Sequence, residues 1–157
     1  TKYDLPTEAQ WEMAARGDCE KNGKAASDDA GCKAAMRTYP WGEQPPDCKL
    51  AVMFDGGFGC GALTTAAVGT KAAGVSPYGL HDMAGNVFDW TRDWFNESYY
   101  GISPGSDPTN QVSDGYRTFR GGQFGSSGPT LRTSYRDFGA PNGVFTNAGV
   151  RCARFYP

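Results

Sequence analysis

Residues 78–90, Tyr-Gly-Leu-His-Asp-Met-Ala-Gly-Asn-Val-Phe-Asp-Trp, leave the backbone few choices. Gly79, Gly85 and Asn86 are residue types that enter conformations closed to most others, positive φ included. Directly after them, Val87-Phe88-Asp89-Trp90 alternates in the manner of a strand with one face in the core. The chain must turn tightly here and then extend. Asp82, Asn86 and Asp89 place side-chain oxygens along the same turn. Two readings fit: a Gly-rich turn entering a buried aromatic strand, and an oxygen-lined loop for a hard cation such as calcium, which takes about six to eight oxygen ligands.

No long periodic run elsewhere competes with that stretch. The 157 residues include 22 Gly and 10 Pro against 4 Trp, 8 Tyr and 9 Phe. This composition predicts one domain rich in turns and held by aromatic packing. The 15 basic and 17 acidic residues nearly balance, so no electrostatic footprint for nucleic acid is present. No apolar run approaches the roughly 18–20 residues of a membrane span. Of the five cysteines, Cys19/Cys32 and Cys48/Cys60 each bracket a polar Gly-rich segment, as loop-closing disulfides do, although spacing alone does not prove connectivity. Paired in this way they place the protein outside the cytoplasm. Cys152 is then left over, as a free buried thiol or the partner of a group elsewhere. A single histidine, His81, and no C-x-x-C spacing argue against zinc. Thr1 reads as the start of a processed or trimmed piece.

A short helix is expected from Thr7, with Gln10 closing a capping box, Glu8 and Glu12 favouring the positive end of the helix dipole, and Gly17 as the stop. Trp11, Ala14 and Ala15 form its apolar face. Residues 18–38 read as a polar surface loop and Tyr39-Pro40-Trp41-Gly42 as a compact turn. Strands are expected near Thr65–Val68, over 117–122 and 131–136, and over 149–155. Turn-rich loops separate the last three, at 123–130 and 137–148.

Leu-Pro-Thr-Glu-Ala-Gln-Trp-Glu at 5–12, Tyr-Pro-Trp-Gly at 39–42, Gly-Leu-His-Asp-Met-Ala-Gly-Asn-Val-Phe-Asp-Trp at 79–90, Arg-Gly-Gly at 120–122 and Gly-Val-Arg-Cys-Ala-Arg at 149–154 together resemble the formylglycine-generating enzyme (sulfatase-modifying factor) family. The resemblance implies an α+β fold, that family's variant of the C-type lectin fold, with short strands and much irregular backbone. It spans residues 1–157 as a single domain lacking the family's usual N-terminal segment. It also implies a structural calcium on Asp82, Gly85, Val87 and Asp89, where Asp89 is one methylene shorter than the family's common Glu. The upstream calcium site of the family is not carried over, because Ala51 and Cys60 do not supply its oxygens.

The family's oxidation of substrate cysteine uses copper held by two cysteines in the region matching 123–136. This chain has no cysteine from Gly61 through Arg151, and soft monovalent copper requires thiolates. The related non-haem iron branch uses a histidine cluster, which one histidine does not provide. Ser126 and Ser127 have no base other than His81 for a serine triad.

The expected function is therefore a non-catalytic binding or structural module, exported, with ligand contacts at Phe124, Ser126, Ser127, Phe138, Asn142, Phe145 and Asn147. Its partner would be a protein or glycan, or other copies of itself, and it could belong to a larger multidomain chain. The C-terminal loops also resemble those of diversity-generating-retroelement variable proteins. The alternative is a sulfatase-modifying-type oxidoreductase acting on protein cysteine.

Overall fold

The computed structural model describes residues 2–25 and 27–155. After a short strand, β1 (Lys2–Asp4), the first helix, α1 (Glu8–Arg16), forms where its caps require. The Thr7 hydroxyl accepts from the Gln10 amide at 3.2 Å and the Gln10 side chain accepts from the Thr7 amide at 3.0 Å. Two otherwise unpaired donors of the first turn are thereby satisfied. Gly17 ends the helix at φ 81°, where a side chain would be strained.

The segment 18–38 is not wholly loop. It contains a second helix, α2 (Asp29–Ala35), whose cap Asp28 accepts from the Gly31 amide at 2.9 Å. With Gly31 inside it and only Cys32 buried, α2 lacks the apolar stripe that reveals a helix in sequence. The Cys19–Cys32 disulfide ties it down instead. The second disulfide joins Cys48 to Cys60, so both expected pairs are present. Tyr39 and Gly42 exchange backbone hydrogen bonds at 3.0 Å, and the Tyr39 and Trp41 rings stack at 5.3 Å, giving the compact turn.

Five further strands follow: β2 (Phe88–Trp94), β3 (Arg117–Arg120), β4 (Asp137–Gly139), β5 (Ala148–Gly149) and β6 (Ala153–Phe155). One sheet has the order β4-β3-β2-β5, antiparallel except for the parallel β2–β5 pair; β1 and β6 form a separate antiparallel pair. The expected strand over 149–155 is thus two strands in two sheets, with residues 150–152 crossing between them.

Two other strand expectations fail for one physical reason: a side chain takes the backbone groups that a neighbouring strand would have taken. Near Thr65–Val68 no strand forms. The Asn86 side chain accepts from the Ala66 amide at 2.9 Å and donates to its carbonyl at 3.2 Å. Over 131–136 the carbonyls of Thr133 and Tyr135 accept from the Arg120 guanidinium, and strand structure begins only at Asp137.

The face of β2 that is fully buried is its polar one. Asp89, Thr91 and Asp93 are 5%, 0% and 1% exposed, whereas Trp90, Arg92 and Trp94 are half-buried. The reason lies in α1, which packs on that face. Asp93 accepts from the Glu8 amide at 2.7 Å and from the Asn110 amide at 2.8 Å. Asp89 accepts from the Trp11 indole at 2.9 Å. Each buried acid thereby faces donors, which is what permits its burial. Met83 and Ala84 then divide the apolar core between them. Met83 packs with Trp11 and Ala15, and Ala84 packs with Tyr39, Ala51, Met53 and Leu131.

Candidate functional site

The turn between His81 and Asn86 takes the backbone conformations its residue types permit. Asp82, Gly85 and Asn86 have φ of 56°, 79° and 65°. At Gly85 a Cβ would meet the Val52 carbonyl oxygen at 2.4 Å, so the position requires glycine on space as well as on φ. The turn opens on a cleft of about 470 Å³ lined by Val68, His81, Asp82, Asn86, Asp89 and Arg151 among others. Asp82 and Asp89 both face it. One oxygen of each carboxylate is engaged: Asp82 Oδ2 accepts from the Gly69 amide at 2.7 Å, and Asp89 Oδ2 accepts from the Trp11 indole and, at 3.1 Å, from Arg151. The Arg151 guanidinium also donates to the carbonyls of His81 at 3.0 Å and Asp82 at 3.3 Å. Burial raises the Asp89 carboxyl above its ordinary pKa, with the Asp82 charge adding to the rise and Arg151 and Trp11 opposing it.

Arg151 thus pairs with the Asp89 carboxylate, while the Asp82 carboxylate is held by the Gly69 amide. The donors of the turn are oxygens, which suits a hard cation and not a soft one. Among the described residues no three His, Cys, Asp or Glu side chains converge to hold a metal.

The seven candidate contact residues fall into three places rather than one. Phe124 stands edge-on to Phe58, which in turn meets Phe54 edge-on; both of these rings are about half exposed. Ser126 is buried, its hydroxyl accepting from the Gln123 amide at 3.0 Å, so it shapes the loop, while Ser127 is exposed. Phe138 packs on Phe95 at 4.5 Å and Tyr116 at 5.2 Å. Phe145 packs on Phe119 at 5.1 Å and Trp90 at 5.6 Å, over the bare Cα of Gly139. Asn142 is exposed within 141–146, an unbroken exposed run, and the Asn147 carbonyl accepts from the Phe88 amide at 2.8 Å.

Disulfides consume four of the five cysteines. Cys152 is free and exposed, not buried. His81 is exposed.

What sequence reasoning missed is a charged cluster that joins α1 to the strands. Glu8, 2% exposed, accepts from Arg136 Nε at 2.6 Å and Nη2 at 2.8 Å, and its Oε1 lies 3.7 Å from Nε of the fully buried Arg120. Arg120 also pairs with Glu12, which pairs with Arg16. The signal was present as Glu8, Glu12 and Arg16 on one helix face, a spacing that also suits a solvated surface.

This arrangement, short curled sheets with two flanking helices and much of the chain in irregular backbone, defines a formylglycine-generating-enzyme-like variant of the C-type lectin fold. Residues 1–156 match the sulfatase-modifying factor enzyme 1-like domain, and the chain belongs to that family. It is 34% identical over 152 residues to the formylglycine-generating enzyme of Streptomyces coelicolor, a match covering 95% of this chain and 46% of that protein. It is also 34% identical over 152 residues to the serine/threonine-protein kinase pkn1 of Chlamydia pneumoniae, covering 96% of this chain and 20% of that one. Among solved structures, Treponema denticola variable protein 1 superposes with a TM-score of 0.70 at 26% identity, covering 96% of this chain and 46% of that one. The chain thus spans less than half the length of each of these three proteins.

Proposed function

We propose that this chain is a non-catalytic binding module, exported, in which the family scaffold presents the loops between 123 and 148 to a protein or glycan ligand. The observation that carries this reading is the cysteine arrangement. A copper site of the family's type needs two thiolates, and four of the five cysteines are in disulfides while Cys152 stands alone at the surface. The same disulfides support a place outside the cytoplasm.

The run 141–146 suits presentation. Gly139 in β4 and Ala148 in β5 fix its ends, and the Phe145 ring wedges it against Phe119 and Trp90. Its outward side chains, Asn142 and the 97%-exposed Val144 among them, are free to vary without disturbing that anchor. In this reading Ser127, Asn142 and Asn147 remain contact residues, while Phe124, Ser126, Phe138 and Phe145 shape the loops. The likeness to a variable protein favours such a display role over a purely structural one, and extends to the reading that the chain is a diversity-generating-retroelement variable protein.

A library randomised at Ser127, Asn142 and Val144 should melt within about 6 °C of the parent, since each surface change costs about 0.5 kcal/mol or less, and should yield binders on selection against immobilised proteins and glycans. Losses as large as those of core variants would sink the reading. Anaerobic titration with Cu(I), followed by an aerobic assay on a cysteine-containing peptide, separates it from the oxidoreductase alternative. Stoichiometric copper with oxidation of the peptide would favour the enzyme.

The same proposal assigns Asp82, Gly85, Val87 and Asp89 a structural calcium, two carboxylates and two backbone carbonyls in an oxygen-only set. The support is the two carboxylates beside the one guanidinium of Arg151 and the oxygens Oδ1 of Asp82 and of Asp89, which no hydrogen bond engages among the described residues. A chelator should lower the melting temperature, and Asp82→Asn should remove that sensitivity. Indifference to chelation would remove the assignment.

A further inference from the structure

A second cleft, of about 570 Å³, lies beside the entry to β4. That is within the usual range of small-ligand sites, about 300–1,000 Å³. Phe95, Tyr100 and Pro129 give it apolar walls, and Arg132, Ser134 and Tyr135 give it polar ones. None of the candidate loop contacts named above lines it.

The backbone beneath these polar groups is rigid. Leu131 and Thr133 point inward and are 0% and 1% exposed. The Thr133 amide donates to the Thr38 carbonyl at 2.9 Å, its hydroxyl donates to the Arg37 carbonyl at 2.8 Å, and Arg120 grips the carbonyls of Thr133 and Tyr135 from below. The alternate residues, Arg132 and Ser134, are therefore held outward and exposed.

Eight of the nine arginines have a hydrogen bond, ion pair, ring contact or other electrostatic partner, and among the described residues the Arg132 side chain has none. The other guanidinium of the cleft, Arg136, is held as a fork by Glu8 and lies over the rings of Phe95 and Tyr100 at 5.1 and 4.7 Å. Its charge is thereby spent. Glu97, exposed in the lining, is the one carboxylate there. With one open guanidinium and one rim carboxylate in its lining, the cleft suits a monoanion better than a dianion. Tyr100 and Tyr135 stay protonated at neutral pH: burial raises both, aided by the charges of Glu8 and Glu12 at Tyr100 and of Asp137 at Tyr135. Their hydroxyls are bonded to Glu12 and Asp137, so what they add to the cleft is aromatic faces with acceptor oxygens beside them.

We propose that this cleft binds an acidic saccharide, with Arg132 pairing the sugar carboxylate, Ser134 bonding a ring hydroxyl, and Tyr100 and Pro129 covering the apolar face of the pyranose. A guanidinium fork matches a carboxylate in shape as well as charge. Hydroxyl donors on a preorganised ledge limit the ordering cost of binding. The cleft draws on the same 123–148 stretch and deepens that reading to a glycan class, but Ser127, Asn142 and Asn147 do not line it, so variants there and at Arg132 separate its failure from that of the display role.

The test is titration calorimetry with digalacturonate against the uncharged galactobiose, accompanied by NMR of the tyrosine ring protons. Digalacturonate should bind saturably and shift Tyr100 and Tyr135, and galactobiose should bind at least tenfold more weakly. Arg132→Ala should weaken digalacturonate binding by about ten- to a hundredfold, the range for losing a hydrogen bond to a charged group, with the melting temperature unchanged because the side chain has no partner in the fold. Arg132→Lys should restore part of the affinity. The proposal is overturned by equal binding of the two disaccharides, by unchanged affinity in Arg132→Ala, by no saturable binding of digalacturonate, or by tighter binding of inorganic phosphate than of digalacturonate.

Discussion

Replacing Glu8 by Ala distinguishes two accounts of the same residue. On a helix-dipole account Glu8 contributes about 0.3–1 kcal/mol from an exposed first turn. In the structure it is buried, accepts a two-pronged contact from Arg136, and lies beside Arg120. Removing it leaves Glu12 as the one carboxylate paired with Arg120, and leaves Arg136 holding backbone carbonyls at Asn96 and Glu97. Taking one partner from a buried ion pair costs about 3–5 kcal/mol. For a domain of this size that corresponds to a fall of roughly 6–20 °C in melting temperature. Urea unfolding with the disulfides intact, followed by tryptophan fluorescence, reads the difference directly, because Trp11 lies under Arg120 at 5.1 Å. The double variant Glu8→Ala/Arg136→Ala should be less destabilised than the sum of its parts, since it removes the orphaned charge together with its partner. A loss below about 1 kcal/mol for Glu8→Ala would refute the network and restore the dipole account.

Opening the Cys48–Cys60 bridge as the double serine variant should cost about 3 kcal/mol, from the loop-closure entropy of its 12-residue separation; a melting curve matching the parent would contradict this. At Asn86, alanine and glycine should each lose about 2–5 kcal/mol in chemical denaturation, because both leave the Ala66 amide and carbonyl without partners. A glycine variant as stable as the parent would mean that the positive φ alone selects asparagine. The Tyr78 phenol, raised to about 12 by burial and by its hydrogen bond to Asp18, should be among the last tyrosines to ionise in an ultraviolet titration. A raised phenol contributes stability that is full below its ordinary pKa near 10 and lost as pH rises through about 12. Tyr78→Phe should therefore flatten the alkaline fall in melting temperature, and an unchanged slope would remove this contact from the explanation.

Features that depend on local chemistry are legible in the residues themselves. Thr7 and Gln10 specify a helix start because they bond to each other's backbone three residues apart. Gly79, Gly85 and Asn86 specify a turn because few other residues enter its conformations. The two cysteine pairs close loops short enough for each partner to find the other. The five motifs carried the family and hence the fold class. Where contacts are distant in sequence, the outcome depends on which groups the folded chain brings together. Asn86 takes the backbone of Ala66, and Arg120 that of Thr133 and Tyr135, so two runs with strand composition form no strand. The buried face of β2 is acidic because α1 brings an indole and a backbone amide to Asp89 and Asp93. Glu8, which reads as a surface charge, is buried because Arg136 reaches it from 128 residues away. The contact residues inferred from 123–148 separate for the same reason: Phe138 and Phe145 are drawn onto different aromatic partners, while Arg132, unremarkable in the sequence, has no partner among the described residues.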